Sequence, residues 1–347
     1  MAGPLKEAVL WESLEGQEVR CKLCNFRCRI KEGKVGVCQV RRNVQGKLYS
    51  LNYEAVCAAG VDPIEKKPLF HFQPGSRSFS IAAAGCNFRC DFCQNWQISQ
   101  LPRRQEELGG RLYQPADMVR EAKKQRCRSI SYTYTEPTIF MELCGEVGRL
   151  ARQEGLSNVF VSNGYMTIEA VEYVRDFLDA INVDLKAITE EFYRKYCQAS
   201  LGPVLETLKY IAKETDIWLE VTTLVVPGLN DGEAELKQAA EFVAHELGEQ
   251  VPWHVSRFHP DYQRTDSYPT PAQTMSLAYE MGKQAGLRYV YVGNMPTFGH
   301  ENTVCHACGQ ILIERFGYQI GEYNIVNSAC PGCGTEVAGV GLDPVNF

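Results

Sequence analysis

Two rhythms of apolar residues alternate through the middle of the chain. Short runs rich in Val, Ile and Tyr, several apolar throughout, occupy positions 79–84, 129–135, 158–162, 180–185, 217–225, 253–258 and 288–292. Continuous apolar runs of this length suit strands buried on both faces. Between them lie stretches with helical spacing, each with a start signal. Pro115 opens 115–126, where Ala116, Met118, Val119 and Ala122 share one face. Thr167 precedes 168–178 and Thr189 precedes 190–196. Thr270 followed by Pro271 predicts an N-cap with proline at the first helical position. Strand and helix in regular succession imply a parallel sheet with right-handed crossovers. Six or seven such units predict an α/β fold, a partial (β/α)6-type TIM barrel, although a doubly wound sheet shares the pattern. In a barrel, chemistry sits at the C-terminal ends of the strands.

The pattern predicts three regions: an N-terminal Cys-rich segment over 1–75, the barrel over 76–300, and a C-terminal zinc-ribbon- or rubredoxin-like element over 301–347. With 45% hydrophobic and 22% charged residues the chain has the composition of a globular protein, which excludes a disordered one. A formal charge of −6 argues against a nucleic-acid partner. The longest apolar runs, 221–226 and 80–85, fall far short of a membrane span of about 20 residues. The first residues show no basic stretch followed by an apolar one, so we expect no signal peptide and a cytoplasmic protein.

The fifteen cysteines sharpen this picture. Eleven fall into three short-spaced clusters; in a reducing compartment that pattern marks metal ligands more often than disulfides. Cys57, Cys127, Cys144 and Cys197 are scattered, and Cys127 and Cys144 read as small core residues. The central cluster, Cys86, Cys90 and Cys93, has C-x3-C-x2-C spacing directly after the first barrel strand. Three thiolates can hold three irons of a cubane, where a protein-only cluster takes four. The fourth iron then keeps an open position, which a reactive metal site needs and a structural one avoids. Arg89 and the backbone N–H groups of the turn are candidates to offset the negative charge, and Phe88, Phe92 and Trp96 can shield the site from water. A zinc knuckle, or a set of core thiols, is the alternative.

At the other end, Cys305, Cys308, Cys330 and Cys333 form C-x2-C-x21-C-x2-C, each pair followed by glycine. Four thiolates indicate a closed, structural site for zinc or a single iron. Cys21, Cys24, Cys28 and Cys38 give C-x2-C-x3-C-x9-C, a possible second metal site for zinc or an auxiliary cluster, unless one cysteine is merely buried.

Cys86, Cys90 and Cys93, with Phe92 before the last cysteine, resemble the signature of radical S-adenosylmethionine (SAM) enzymes. Gln94, Asn95 and Trp96 are similar to the tail of that signature in pyruvate formate-lyase activating enzymes. Over essentially its full length the chain resembles the radical SAM component of the AmmeMemoRadiSam system: the first cluster, the central loop, the stretch Arg257-Phe258-His259-Pro260 and the C-terminal cysteine pairs all fit. The resemblance implies a [4Fe-4S] cluster that cleaves SAM reductively to a 5′-deoxyadenosyl radical, fed by a flavodoxin- or ferredoxin-type donor. The radical would abstract hydrogen from a protein, such as a glycine in a partner enzyme, or from a small molecule. The resemblance also implies that successive strand ends build the SAM site. Thr135, Glu136 and Pro137 stand where the family carries Gly-Gly-Glu, a departure at both glycines, with Glu136 facing the methionine ammonium. Ser162 and Asn163 suit a ribose, with Gly164 turning the backbone. Asp184 and Lys186 resemble the Asp-x-Lys of activating enzymes and suit a zwitterion. The turn at 225–231 is similar to the family's Pro-Gly turn, His259 is a polar contact, an acid–base group or a surface histidine, and Asn294 is expected near the adenine or the lower rim. A second reading, a non-catalytic metal-stapled scaffold or partner-binding protein, explains the outer cysteines but not a three-cysteine loop after a strand.

Overall fold

The computed structural model describes residues 5–53, 55–104, 108–296 and 299–343. Ala55–Pro63 (β1) runs antiparallel to Arg77–Ala83 (β2). Six further strands follow β2 in parallel: Ser129–Tyr132 (β3), Ser157–Ser162 (β4), Ala180–Asp184 (β5), Trp218–Val225 (β6), Trp253–Arg257 (β7) and Val290–Gly293 (β8). All seven apolar runs are therefore strands. The run at 129–135 stops at Tyr132, because Tyr134 turns into a left-handed conformation (φ 64°). The sheet is ordered β8-β7-β6-β5-β4-β3-β2-β1, with Arg111–Leu112 added at the β1 edge. Among the described residues β8 pairs with β7 alone, so the barrel stays open on one side.

Six crossovers link β2 to β8. Their main helices are Pro115–Lys124 (α1), Met141–Gln153 (α2), Ile168–Val174 (α3), Leu201–Glu214 (α4), Glu233–Glu241 (α5) and Ala272–Gln284 (α6). A short turn, Glu190–Phe192, precedes α4 and runs into a π-helical turn over Tyr193–Cys197. Met118, Val119 and Ala122 of α1 are buried in one core with Phe79, Ile81, Ile130 and Tyr132. Each large apolar side chain so buried contributes about 1.5–3 kcal/mol. Cys127 and Cys144 are buried in the same core. Thr167 caps α3 as its sequence predicts, accepting from Ala170 N (3.1 Å). Thr270 does not cap α6. That helix starts at Ala272, and the Thr270 hydroxyl instead donates to Val225 O (2.6 Å) and accepts from Phe258 N (2.9 Å), tying β6 to β7.

Alternation along β2 puts Phe79 and Ile81 toward the helices and Ser78 and Ser80 toward the barrel interior. That interior is polar and is entered by the chain between β1 and β2. Ile64, Leu69 and Phe72 of this insert pack on Val159 and Ala180. Its Phe70 N and His71 N donate to the Glu220 carboxylate (3.0 and 2.8 Å), which also accepts from Trp218 Nε1 (3.0 Å) and meets His254 Nε2 at 2.6 Å. A carboxylate so deep is retained because each oxygen is hydrogen-bonded.

Two small antiparallel sheets precede the barrel: Lys6–Glu7, Arg41–Val44 and Lys47–Ser50 form one, Trp11–Ser13, Val19–Cys21 and Arg29–Ile30 the other. A buried ion pair between Arg41 and Glu142 docks them on α2. After the barrel, Thr303–Val304 (β9), Ile311–Phe316 (β10) and Gln319–Tyr323 (β11) form a third small sheet. Leu312, Ile313 and Ile325 pack here on Phe70, Tyr289 and Tyr291. No helix among the described residues is long and apolar enough to cross a membrane.

Candidate active site at the strand ends

The loop after β2 begins with Gly85 at φ 115°. A Cβ there would lie 3.1 Å from Ile139 Cδ1 and 3.2 Å from Val40 Cγ1, so the turn calls for glycine. Cys86, Cys90 and Cys93 follow; Cys90 is buried and the other two half-buried. Phe88 N donates to Cys86 Sγ (3.4 Å), and Cys93 Sγ lies 3.3 Å from Ser99 Oγ. From below, the loop rests on the π-helical turn, with Arg89 N donating to Cys197 O (3.0 Å) and Asp91 N to Tyr196 O (3.2 Å). A hydrogen bond to the Cys197 thiol and burial push Cys90 well above the ordinary thiol range, and burial does the same for Cys86. Both stay protonated until a metal displaces the protons. Phe88 and Phe92 are buried as shields, and Trp96 stacks on Tyr262 (centroids 5.1 Å, 18° between planes).

The guanidinium that serves the loop is Arg103 rather than Arg89. Arg103 donates to Cys86 O (2.7 Å), Phe88 O (3.2 Å) and Val37 O (3.1 Å), whereas Arg89 reaches out to Gln198 Oε1 (3.2 Å). Two buried donors beside the cysteines, Asn87 Nδ2 and Arg103 Nε, have no acceptor. Leaving such groups unpaired costs about 1–3 kcal/mol each. Orphaned donors around three thiols fit an anionic iron–sulfur group.

Glu136, Ser162 and Asn163 converge on this loop. Glu136 Oε1 accepts from Thr138 N (3.0 Å) and Ser162 Oγ (2.8 Å), and Oε2 accepts from Asn163 N (2.8 Å). The expected ammonium contact therefore rests on the remaining lone pair of Oε2. Burial raises the Glu136 carboxyl above its ordinary value, against the pull of those bonds. Asn163 Nδ2 donates to Asn87 Oδ1 (2.7 Å) and lies 3.8 Å from Cys86 Sγ. Gly164 follows at φ 70°, where a Cβ would meet Val183 Cγ1 at 2.6 Å.

Asp184 and Lys186 form an ion pair of 2.7 Å. Burial alone would push Lys186 down, but Asp184 and the nearby Cys90 hold it above its ordinary value. Asn230 pins the following turn to this pair's strand end, donating to Lys186 O (2.8 Å). His259 and Asn294 sit elsewhere. They are exposed and face each other at the ends of β7 and β8 (His259 Nε2 to Asn294 O, 3.2 Å), three and four strands from Ser162.

Sequence reasoning missed Arg103, Cys197 and the clasp between Arg264 and Asp91 (2.9 and 2.7 Å). Arg264 lies 173 positions from Asp91, and no local pattern connects them.

Among the described residues, the C-terminal cysteines are the group of metal-ligating side chains gathered closely enough to share an ion. The Sγ atoms of Cys305, Cys308, Cys330 and Cys333 all lie within 4.8 Å of one another, as a tetrathiolate metal site requires. Gly309 (φ 76°) and Gly334 (φ 74°) close its two knuckles, each donating back to the first cysteine's carbonyl (2.9 and 2.8 Å). Cys21, Cys24, Cys28 and Cys38 line a cavity of about 10 Å³ with Arg41 and Ile139. That volume is about the size of a single bound atom or water.

Residues 80–243 match the family model of the Radical SAM superfamily. An uncharacterized protein of Methanocaldococcus jannaschii is 45% identical over 335 residues, 96% of this chain and 99% of that protein. The (2S)-3-sulfopropanediol dehydratase activating enzyme of Klebsiella oxytoca is 28% identical over 117 residues, 33% of this chain and 36% of that enzyme. Among solved structures, a radical SAM methyltransferase from Sphaerobacter thermophilus shares the fold, with a TM-score of 0.51 at 15% identity over 69% of this chain and 71% of that one. The three-cysteine loop, the open parallel barrel and these matches agree: the chain belongs to the radical SAM superfamily and is an enzyme of SAM-dependent radical chemistry.

Proposed function

We propose that Cys86, Cys90 and Cys93 hold three irons of a [4Fe-4S] cluster, and that SAM takes the fourth iron. The observation that carries this is the loop itself: three cysteines directly after β2, ringed by the unpaired donors Asn87 Nδ2 and Arg103 Nε. When bound and reduced, the cluster supplies one electron that splits SAM into methionine and a 5′-deoxyadenosyl radical. The chain's own residues do the positioning. Glu136 holds Ser162 and Asn163 at the rim and offers its last lone pair to the methionine ammonium. Asp184 and Lys186 form a charge pair suited to a zwitterion beside Cys90. Phe88 and Phe92 exclude water from the loop. His259 and Asn294 are assigned the far, nucleoside side of the mouth.

The radical abstracts hydrogen from a substrate, and the likeness to an activating enzyme favours a protein one, such as a glycine of a partner enzyme. A flavodoxin or ferredoxin would supply the electron. Cys305, Cys308, Cys330 and Cys333 hold zinc or iron as a structural staple, and Cys21, Cys24, Cys28 and Cys38 hold a second metal. In this reading residues 1–75 and 301–347 are Cys-rich additions to the barrel of 76–300.

The test is anaerobic reconstitution followed by iron, sulfide and zinc analysis. The wild type should carry about four irons more than a variant with Cys86, Cys90 and Cys93 all replaced by Ala. It alone should form 5′-deoxyadenosine from SAM under dithionite. Zinc in place of iron at these cysteines would leave only the scaffold reading.

A further inference from the structure

Inside the barrel, on the side of β6 to β8, lies a cavity of about 470 Å³. Thr222, His254, Ser256 and Tyr291 wall it from the sheet, Glu65 from the insert, and Tyr318 from the turn between β10 and β11. Its volume falls in the range of about 300–1,000 Å³ typical of small-molecule sites. None of these six residues belongs to the cysteine loop or to the cluster around Glu136, and Asn294, assigned above to the nucleoside side, lines the cavity's outer edge.

Two polar groups in this wall are unpaired. Thr222 Oγ1 and Glu65 Oε2 have no hydrogen-bond partner, although Thr222 is 6% exposed and Glu65 1%. Native structures rarely leave buried polar groups unpaired without a reason. Two of the neighbouring charges are already committed. Lys66 is bonded to Asp62 (2.8 Å) and His254 to Glu220 (2.6 Å). The other oxygen of Glu65 accepts from Gly75 N (2.7 Å) and lies 3.9 Å from Arg315 Nε, a buried donor that is itself without a partner. Glu65 also borders a second cavity of about 770 Å³, whereas Thr222 faces the first alone. An ionised carboxylate oxygen only accepts, and a hydroxyl can accept as well. A ligand's hydrogen-bond donor would satisfy both oxygens, at Glu65 in competition with Arg315 Nε. Its position is telling too. Thr222 pairs in register with Asp184 on the neighbouring strand, so cavity and strand-end site share one interior face.

We propose that this cavity receives the part of the substrate that carries an amine or guanidine, which donates to Glu65 and Thr222. The proposal deepens the SAM-site reading above and rests on it. A head of this kind would fix a substrate chain across the barrel interior while its hydrogen-bearing carbon faces the strand ends.

Agmatine, an alkyl guanidine with an amine, serves as the probe, and pentanoate as the anionic control. Both are titrated calorimetrically into the full-length reconstituted protein with SAM present. We expect agmatine to bind, pentanoate not to bind, and Glu65→Gln or Thr222→Val to weaken agmatine about tenfold. Thr222→Val removes only a hydroxyl, so it decides the matter even if Glu65→Gln disturbs Arg315 and fails to fold. Agmatine binding no better than pentanoate, or unaffected by Thr222→Val, overturns the proposal. Calorimetry reads binding without turnover. The wild type's 5′-deoxyadenosine formation without agmatine separately reports on the cysteine loop. Formation of 5′-deoxyadenosine with no agmatine binding sinks the cavity assignment alone, and failure of both sinks the two together.

Discussion

At the scale of single residues, Gly164 shows how narrowly the strand-end cluster is built. Its left-handed backbone and the 2.6 Å approach of Val183 Cγ1 leave no room for a methyl group. Gly164→Ala should cost roughly 1–3 kcal/mol in backbone strain and overpacking. For a chain of this size that lowers Tm by roughly 1–4 °C. Because Asn163 reaches both Asn87 and Cys86 Sγ, SAM affinity should fall as well. Calorimetric melting and SAM titration check this, and an unchanged Tm would count against the tight fit. Asn163 and Gly164 were legible in the sequence as a turn after a strand, but Val183 as its constraint was not. The same holds for Arg103. Its spacing from Cys86 follows no motif, since it acts through backbone carbonyls, which any residue could offer.

At the scale of elements, the seven strands were legible because strands covered on both faces are rich in apolar residues, several of them throughout. The chain between β1 and β2 was not. Leu69, Phe70 and Phe72 lie within the stretch read as N-terminal, yet Phe70 N and His71 N bind Glu220 about 150 positions onward and fill the barrel. Thr270 misled in a similar way, because a hydroxyl that looks like a local cap can serve two distant strands. The cysteine pairs of the C-terminal sheet were fully legible, since their ligand spacing is local within each knuckle. That sheet buries few apolar residues, so the metal proposed for it should carry much of its stability. Cys330→Ser should lose one equivalent of metal, lower Tm and admit limited proteolysis near Tyr318. Metal analysis and timed digestion read this out, and full metal content in the variant would refute it.

At the scale of the whole molecule, His71 joins three parts. Its Nδ1 lies 2.6 Å from Ala338 O and its Nε2 2.5 Å from Tyr291 OH, linking insert, barrel and C-terminal sheet. Burial pushes this imidazole down to about 4. An unfolded histidine titrates near 6.5, so between these values the unfolded chain binds the proton first. The stability His71 contributes is full above about pH 6.5 and drains away as pH falls toward 4. At about 1.4 kcal/mol per unit this amounts to roughly 3–4 kcal/mol. The Tm difference between wild type and His71→Gln should therefore narrow from pH 7 to pH 4.5. Parallel melting curves across that range would exclude the linkage.

The open flank of the barrel also sets a timetable. A ribosome releases the cysteine loop roughly 225 residues before Tyr318, which at about 5–20 residues per second is roughly 10–45 seconds. During that interval the nascent sheet is unsealed, because Arg315, whose guanidinium holds Phe70 O at 2.8 Å, has not yet been made. The iron and sulfide proposed for the loop would thus meet a sheet whose flank beside Phe70 still lacks the last hairpin.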